Sequence, residues 1–199
     1  MPVDYHRLQA ELLAAELVVI ASPAAAHWLL AHHAHAPDWL PQSQSWLTPG
    51  GGTAELLRQW GVVAIHPHRA HNATAMLELL PPRGCEREKR KMLWIGSKGG
   101  ALTRIKLPEN LTCRQLVSHR VMALDYNCDQ LRPFAGHQWL ISSRVALSHA
   151  HQLCQACKLA PLLLVTSPRL GGIAGRLGYT HSPANSTAPE QLLKALFKD

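Results

Sequence analysis

Apolar runs that break at a small polar turn recur along this chain. Val18-Val19-Ile20-Ala21 breaks at Ser22-Pro23 and leads into AAAHWLLAHH. Trp46-Leu47 breaks at Thr48-Pro49 and leads into GGGTAELLRQWG. Trp139-Leu140-Ile141 breaks at Ser142-Ser143 before RVALSHAHQL, and Leu162-Leu163-Leu164-Val165 breaks at Thr166-Ser167-Pro168 before RLGGIAGRLG. Runs such as VVIAS and LLLVTS lack polar alternation, as expected of strands covered on both faces. Each unit therefore reads as a strand that turns into a helix. Strands alternating with helices predict βα units and parallel sheets.

The repeats come in ordered pairs with similar codas. Trp60-Gly61 closes a helix, VVAI follows as a short strand, and HNATAMLELL starts another helix. Leu177-Gly178 closes a helix, YTHSPA follows, and NSTAPEQLLKAL comes next. Glycine just past a helix suits a left-handed C-cap, and Asn-x-Thr suits a capped helix start. A duplication at this scale implies two similar lobes, with Val18 to Leu80 sharing its βα order with Trp139 to Leu196. Between them, Lys91-Met-Leu-Trp-Ile95 predicts a further buried strand. Val117 to Tyr126 alternates polar and apolar positions and reads as an extended strand passing between the lobes. In open parallel sheets, ligands sit outside the carboxyl ends of the strands, which is where the Ser- and Thr-bearing turns fall. Hydroxyls and helix N-terminal amides there would offer donors to an anion, and two such rims facing each other would make a donor-lined cleft.

Composition narrows the partners. The chain has 199 residues, 47% hydrophobic and 17% charged, which suits one domain or two small ones. No run is long and apolar enough to span a membrane, and MPVDYHRLQAELLAAELVV does not have the form of a secretory signal. A formal charge of +7 favours anionic partners. The densest basic run, PPRGCEREKRK, includes two glutamates and no interleaved aromatics, so it reads as a solvated loop rather than a nucleic-acid site. The five cysteines are odd in number and lack framework spacing, so reduced thiols in a cytosol are expected. Cys154-Gln-Ala-Cys157 lacks a partner pair for zinc.

The histidine clusters, His32/His33/His35 and His66/His68/His71, match no metal motif and read as surface loops, with adventitious metal binding the alternative. Three Asn-x-Thr acceptor patterns carry little weight without a secretory signal. Gly50 to Thr53 and Gly96-Ser-Lys-Gly-Gly100 resemble phosphate-cradling loops but lack the full spacing, so tight turns are expected, with nucleotide binding the alternative. No G-x-S-x-G elbow occurs, so the turn serines are not hydrolase nucleophiles. Tyr126, flanked by Asp125 and Asn127, ends the predicted linking strand and is either a hinge residue or a group at the mouth of a cleft.

The ordered series resembles the uroporphyrinogen-III synthase family: the paired turns, GTAELLRQWG of 52 to 61, the strand ending in Tyr126, and the closing LLLVTSPRLGGIAGRLGY and ANSTAPEQLLKAL. The similarity covers most of the chain, although no single motif is specific. It implies an α/β fold of two similar lobes of parallel sheet flanked by helices and joined by a two-strand linker. On that pattern 8–118 form one continuous lobe, 119–129 the linker strand and 130–199 the second lobe. The family's opening strand and helix, with an early arginine, have no counterpart in this sequence, so the lobe the family builds from both chain ends would be incomplete. The implied activity is cofactor-free, metal-free cyclisation of hydroxymethylbilane to uroporphyrinogen III with inversion of ring D, in the cytoplasm, by a monomer. The resemblance further implies transient contact with hydroxymethylbilane synthase and no nucleic-acid or membrane partner. Tyr126 matches the family's catalytic tyrosine. Ser22, Thr53, Ser142, Ser143, Ser167, Arg169 and Lys98 match substrate-binding positions near its cleft. The chain departs from the family at Ala101, where an arginine is usual, and at Asn127, where a basic residue is usual. The alternative reading is a weak or inactive homologue that binds an anionic tetrapyrrole or another polyanion.

Overall fold

The computed structural model describes residues 5–33, 44–68, 72–80 and 89–184, and parts of 192–195. The chain divides into two compact units, 1–121 and 122–199.

In unit 1, helix α1 (Tyr5–Ala14) precedes β1 (Leu17–Ile20), α2 (Pro23–His33), β2 (Ser45–Leu47), α3 (Gly51–Arg58), β3 (Ala64–Ile65), α4 (Ala73–Glu78), β4 (Arg90–Ser97) and β5 (Leu111–His119), with a 3-10 turn at Ala101–Arg104. All strand pairs are parallel, in the order β3-β2-β1-β4-β5. Strand side chains alternate between faces, and this splits the core in two. Val18, Ile20, Trp46, Leu93 and Ile95 meet α1, α2 and α3 through Leu8, Leu12, Ala25, Ala26, Leu29 and Leu57. Leu17, Val19, Leu47, Met92 and Trp94 meet α4 through Ala73, Met76 and Leu77. Both faces are covered, which explains strands that read as unbroken apolar runs. The connections after β1 and β2 use one face and the helix before β4 uses the other. Strand order reverses between β1 and β4, which makes that point a topological switch. A side chain at Gly96 would bring its Cβ within 2.9 Å of the Ala21 Cβ, so a glycine lets the two strand ends close on each other there.

Unit 2 runs α5 (Cys128–Leu131), a 3-10 turn (Arg132–Phe134), β6 (Gln138–Ile141), α6 (Arg144–Cys157), β7 (Leu162–Val165), α7 (Pro168–Arg176) and β8 (His181–Pro183). The strands are parallel in the order β6-β7-β8. Among the described residues their core is one cluster: Ile141, Leu163 and Val165 against Leu147, Ala150, Leu170 and Ala174. The predicted shared βα order holds through β1-α2-β2-α3-β3 and β6-α6-β7-α7-β8. The repeat's last helix, from Asn185, lies outside the fully described residues. Gly61 and Gly178, just past α3 and α7, take the left-handed conformation expected of them, with φ of 76° and 84°.

Two expectations are corrected. The strand predicted over Val117 to Tyr126 starts earlier and stops sooner: β5 pairs with β4 from Leu111 to His119, and 120–127 have no regular structure. Alternation marks which side chains share a face, but a strand needs a neighbour to bond with, and β4 supplies one only as far as His119. The expectation of reduced thiols fails as well, because Cys128 and Cys157 form a disulfide. Each cysteine lies in a different helix, and the fold brings their Cα atoms to 5.1 Å.

Candidate functional site

The Ser- and Thr-bearing turns serve first as helix caps. The Ser22 hydroxyl accepts from the Ala25 amide at 3.2 Å, Ser143 from Ala146 at 3.1 Å, and Ser167 from Leu170 at 3.4 Å. Asn72 caps α4 in the same way, accepting from Ala75 at 2.9 Å. The turn after β2 differs: Thr48 is buried and donates to the Gly50 carbonyl at 3.0 Å, leaving the Gly50 N-cap of α3 without a side-chain bond. A capping serine accepts through oxygen, so its own O–H remains able to donate to an anion.

In unit 1, the switch point gathers Ser22 after β1 and Lys98 after β4. Lys98 is exposed, and its amide donates to the His119 carbonyl at 3.1 Å. The β4–β5 pairing therefore sets Ser97 opposite His119, with exposed Arg120 next in the chain. Sequence reading did not single out His119 and Arg120, because only the strand register brings them beside Lys98. Thr53 lies apart from this group. It is the third residue of α3 and buried, so its hydroxyl is not on the open rim. Gly99 takes φ of 67°, as a tight turn requires, and a 3-10 turn follows rather than an α-helix. The nucleotide-binding alternative at Gly96–Gly100 thus lacks the helix N-terminus such loops use.

In unit 2, Ile141 pairs with Val165, so the turns bearing Ser142 and Ser143 lie beside those bearing Thr166 and Ser167. Ser142, Ser143 and Arg169 are exposed. Arg169, the second residue of α7, has no ion-pair partner among the described residues. Tyr126 is also exposed, at 45%, in the irregular segment before α5. Its neighbour Asn127 is occupied as the cap of α5: it accepts from the Gln130 amide at 2.9 Å, and the Gln130 side chain accepts the Asn127 N–H at 3.0 Å.

Other candidates resolve differently. Cys154 lies on the buried face of α6, and burial raises its thiol pKa, partly offset by a hydrogen bond with Tyr179. Burial, with the hydrogen bond to Cys154, pushes the Tyr179 phenol up to about 12, and its hydroxyl lies 3.1 Å from His151 Nδ1. Burial pushes Cys113 up to about 11, so it stays a thiol at neutral pH. His32 and His33 end α2 rather than lying in the expected loop, because the helix started at Pro23 continues through them. The His32 ring packs on Trp28 and donates to its carbonyl at 2.7 Å, while His66 and His68 meet edge to face. His35 and His71, most of the basic run and the side chain of His33 lie outside the described residues. Among the described residues no cluster of His, Cys, Asp and Glu could hold a metal ion. A cleft of about 170 Å³ between α3 and β3 is lined by Glu55, Arg58 and His66. Glu55 and Arg58 satisfy each other there at 2.7 Å, which removes the cation an anion would need. No described helix is long and apolar enough to cross a membrane.

No known family's sequence profile matches the chain. No curated protein sequence matches it significantly. Among solved structures, a mutant uroporphyrinogen III synthase from the extremely thermophilic bacterium Thermus thermophilus aligns over 100% of this chain and 86% of its own, with a TM-score of 0.61 and 14% identity. A second Thermus thermophilus uroporphyrinogen III synthase structure aligns over 98% and 84% at 14% identity with a TM-score of 0.47, and adds nothing to that likeness. The chain has an α/β fold of helix-flanked parallel sheets similar to that of uroporphyrinogen III synthase.

Proposed function

We propose that this protein cyclises hydroxymethylbilane to uroporphyrinogen III. The observation that carries the reading is a fold similar to the synthase combined with hydroxyl and cationic donors at the carboxyl ends of the strands: Ser22 and Lys98 in one unit, Ser142, Ser143, Ser167 and Arg169 in the other. The substrate carries acetate and propionate side chains, which suits those donors and a formal charge of +7. Loss of its terminal hydroxyl leaves an azafulvene cation. Ring D attacks through its substituted carbon to give a spiro intermediate, which fragments and recloses in the inverted sense. Holding the chain so that this attack outruns simple closure is catalysis by orientation and needs no cofactor.

Tyr126 is the residue we assign to the leaving hydroxyl. Its phenol O–H is a hydrogen-bond donor. It can donate to the departing oxygen while the pyrrole stabilises the cation. A coupled assay with hydroxymethylbilane synthase, resolving type I from type III product, tests the activity. Type I alone, at the spontaneous rate, would sink it. Tyr126→Phe is expected to slow type III formation by ~10²-fold, the low end for acid catalysis, with folding unchanged. Full activity in that variant would leave orientation alone to carry the reaction.

A second reading is favoured by Asn127, whose side chain is committed to capping, and by Ala101, neither of which can supply the charge usual in the family. It is a protein that binds an anionic tetrapyrrole without turning it over. Tight, salt-sensitive binding with no type III product would select it.

A further inference from the structure

The Cys128–Cys157 bridge spans 29 residues of unit 2 and clamps a short element. Helix α5 has four residues, well below the length at which a helix holds itself in water. Its capping box and the burial of Leu131 add local support. Residues 120–127 ahead of it are exposed and irregular. His149 Nε2–H donates to the Leu124 carbonyl at 2.8 Å, which ties that stretch to α6. By contrast, α6 is fourteen residues long and roots Leu147, Ala150 and Cys154 in the core. Cys157 is its last residue. The bridge therefore joins a firm helix end to a weak element that starts two residues after Tyr126.

Both bridged cysteines are partly exposed, so an external thiolate can reach them. The third sulfur nearby, Cys154, is buried one turn earlier on α6 and keeps its proton at neutral pH. A protonated thiol is a poor nucleophile, so the pairing is not scrambled from within.

We propose that the Cys128–Cys157 bridge is a redox strap: oxidised, it holds α5 and the Asp125-Tyr126-Asn127 stretch against α6, and a dithiol reductant releases them. The control over catalysis rests on the reading of Tyr126 as donor to the leaving hydroxyl. A thiolate of the dithiol attacks one sulfur of the bridge, forming a mixed disulfide and expelling the other cysteine as thiolate. The second thiol of the reductant then closes on its own sulfur and expels the remaining cysteine. The bridge takes up two electrons, and the reductant leaves as a disulfide.

The test uses the full chain in air-oxidised form and after dithiothreitol. In the oxidised protein, alkylation under denaturing conditions should spare Cys128 and Cys157 alone. On reduction, exchange of the Asn127, Gln130 and Leu131 amides should speed by about tenfold or more while β1, β2 and β4 of unit 1 stay unchanged. Type III formation should fall in parallel. The Cys128→Ser/Cys157→Ser variant should show the fast exchange in both conditions. Alkylation of Cys128 in the oxidised protein, or equal exchange in both redox states, overturns the strap. Faster exchange with an unchanged rate of type III formation overturns its control of the site. A difference in exchange with no type III product in either state keeps the strap and removes the catalytic reading instead.

Discussion

Unit 1 packs five strands between two apolar clusters, one on each face of its sheet. Unit 2 repeats the same strand–helix order on three strands, with one cluster on one face among the described residues. On its other face Leu140 and Leu162 stay 51% and 40% exposed, while Leu164 beside them is buried. Among the described residues, the same local sequence code thus builds a larger core in unit 1 and a smaller one in unit 2. Small cores leave little margin over the entropy of ordering the chain. The disulfide falls in the unit with the thinner core, where restricting the unfolded chain matters most.

The largest effect that separates the units is expected in unit 1. Trp94, 1% exposed, fills the cluster between β4 and α4. Trp94→Ala removes that volume and should cost ~3–5 kcal/mol. Site-resolved hydrogen exchange should show β1, β2 and β4 opening while β6 and β7 hold. If both sheets open together, the units unfold as one body and the contrast loses its meaning.

Removing the bridge should do the converse. For a separation of 29 residues, chain-entropy arguments give ~3–4 kcal/mol. Cys128→Ser/Cys157→Ser should therefore lower the melting of unit 2 by about 10 °C or more and leave unit 1 where it was. A loss below ~1 kcal/mol would mean that α5 is held by its capping box and Leu131, and that the thin core suffices.

What could be read from the sequence follows the same division between local and distant. Ser22, Ser143, Ser167 and Asn72 announce helix starts because a cap and its amide lie three residues apart. Gly61 and Gly178 announce helix ends for an equally local reason. The Cys128–Cys157 pairing could not be found that way, and Cys154, three residues from Cys157, drew attention to the wrong partner. Likewise the alternation from Val117 to Tyr126 looked like a strand, but which stretch pairs was settled by β4, about 20 residues upstream in register. The site divides along the same line. Lys98 and Arg169 were singled out through the family resemblance, whereas His119 and Arg120 lie beside Lys98 only through the β4–β5 register. Thr53 matched by motif but is buried by the turn of α3.

Capping gives a finer comparison. Ser22→Ala and Ser143→Ala each remove one hydroxyl acceptor at equivalent positions in the repeat. Each should cost ~1 kcal/mol, because the bond is local and does not sense the size of the core. Urea titrations followed by exchange in each unit should find equal losses. A clearly larger loss at Ser143 would show that the thin core of unit 2 relaxes around the missing cap.

The smallest expected effect runs the other way. Lys158 follows the last residue of α6 with φ 55° and ψ 45°, the one positive-φ residue other than glycine among the described residues. Holding an L-residue there costs roughly 1–2 kcal/mol, which glycine avoids. Glycine gives back about 0.5–1 kcal/mol through the greater freedom of the unfolded chain. It also removes a cation from a helix C-terminus, where a positive charge contributes about 0.3 kcal/mol or more. Lys158→Gly should therefore stabilise unit 2 by only ~0.5 kcal/mol. It should raise the denaturation midpoint of β6 and β7 without moving that of unit 1. The gain should persist after reduction of the bridge, because the backbone conformation belongs to the end of α6 and the amide of Lys158 bonds the Cys154 carbonyl rather than α5. A gain seen only in the oxidised protein would mean that the bridge imposes the left-handed turn. A loss in both states would mean that the charge on Lys158 outweighs its backbone cost.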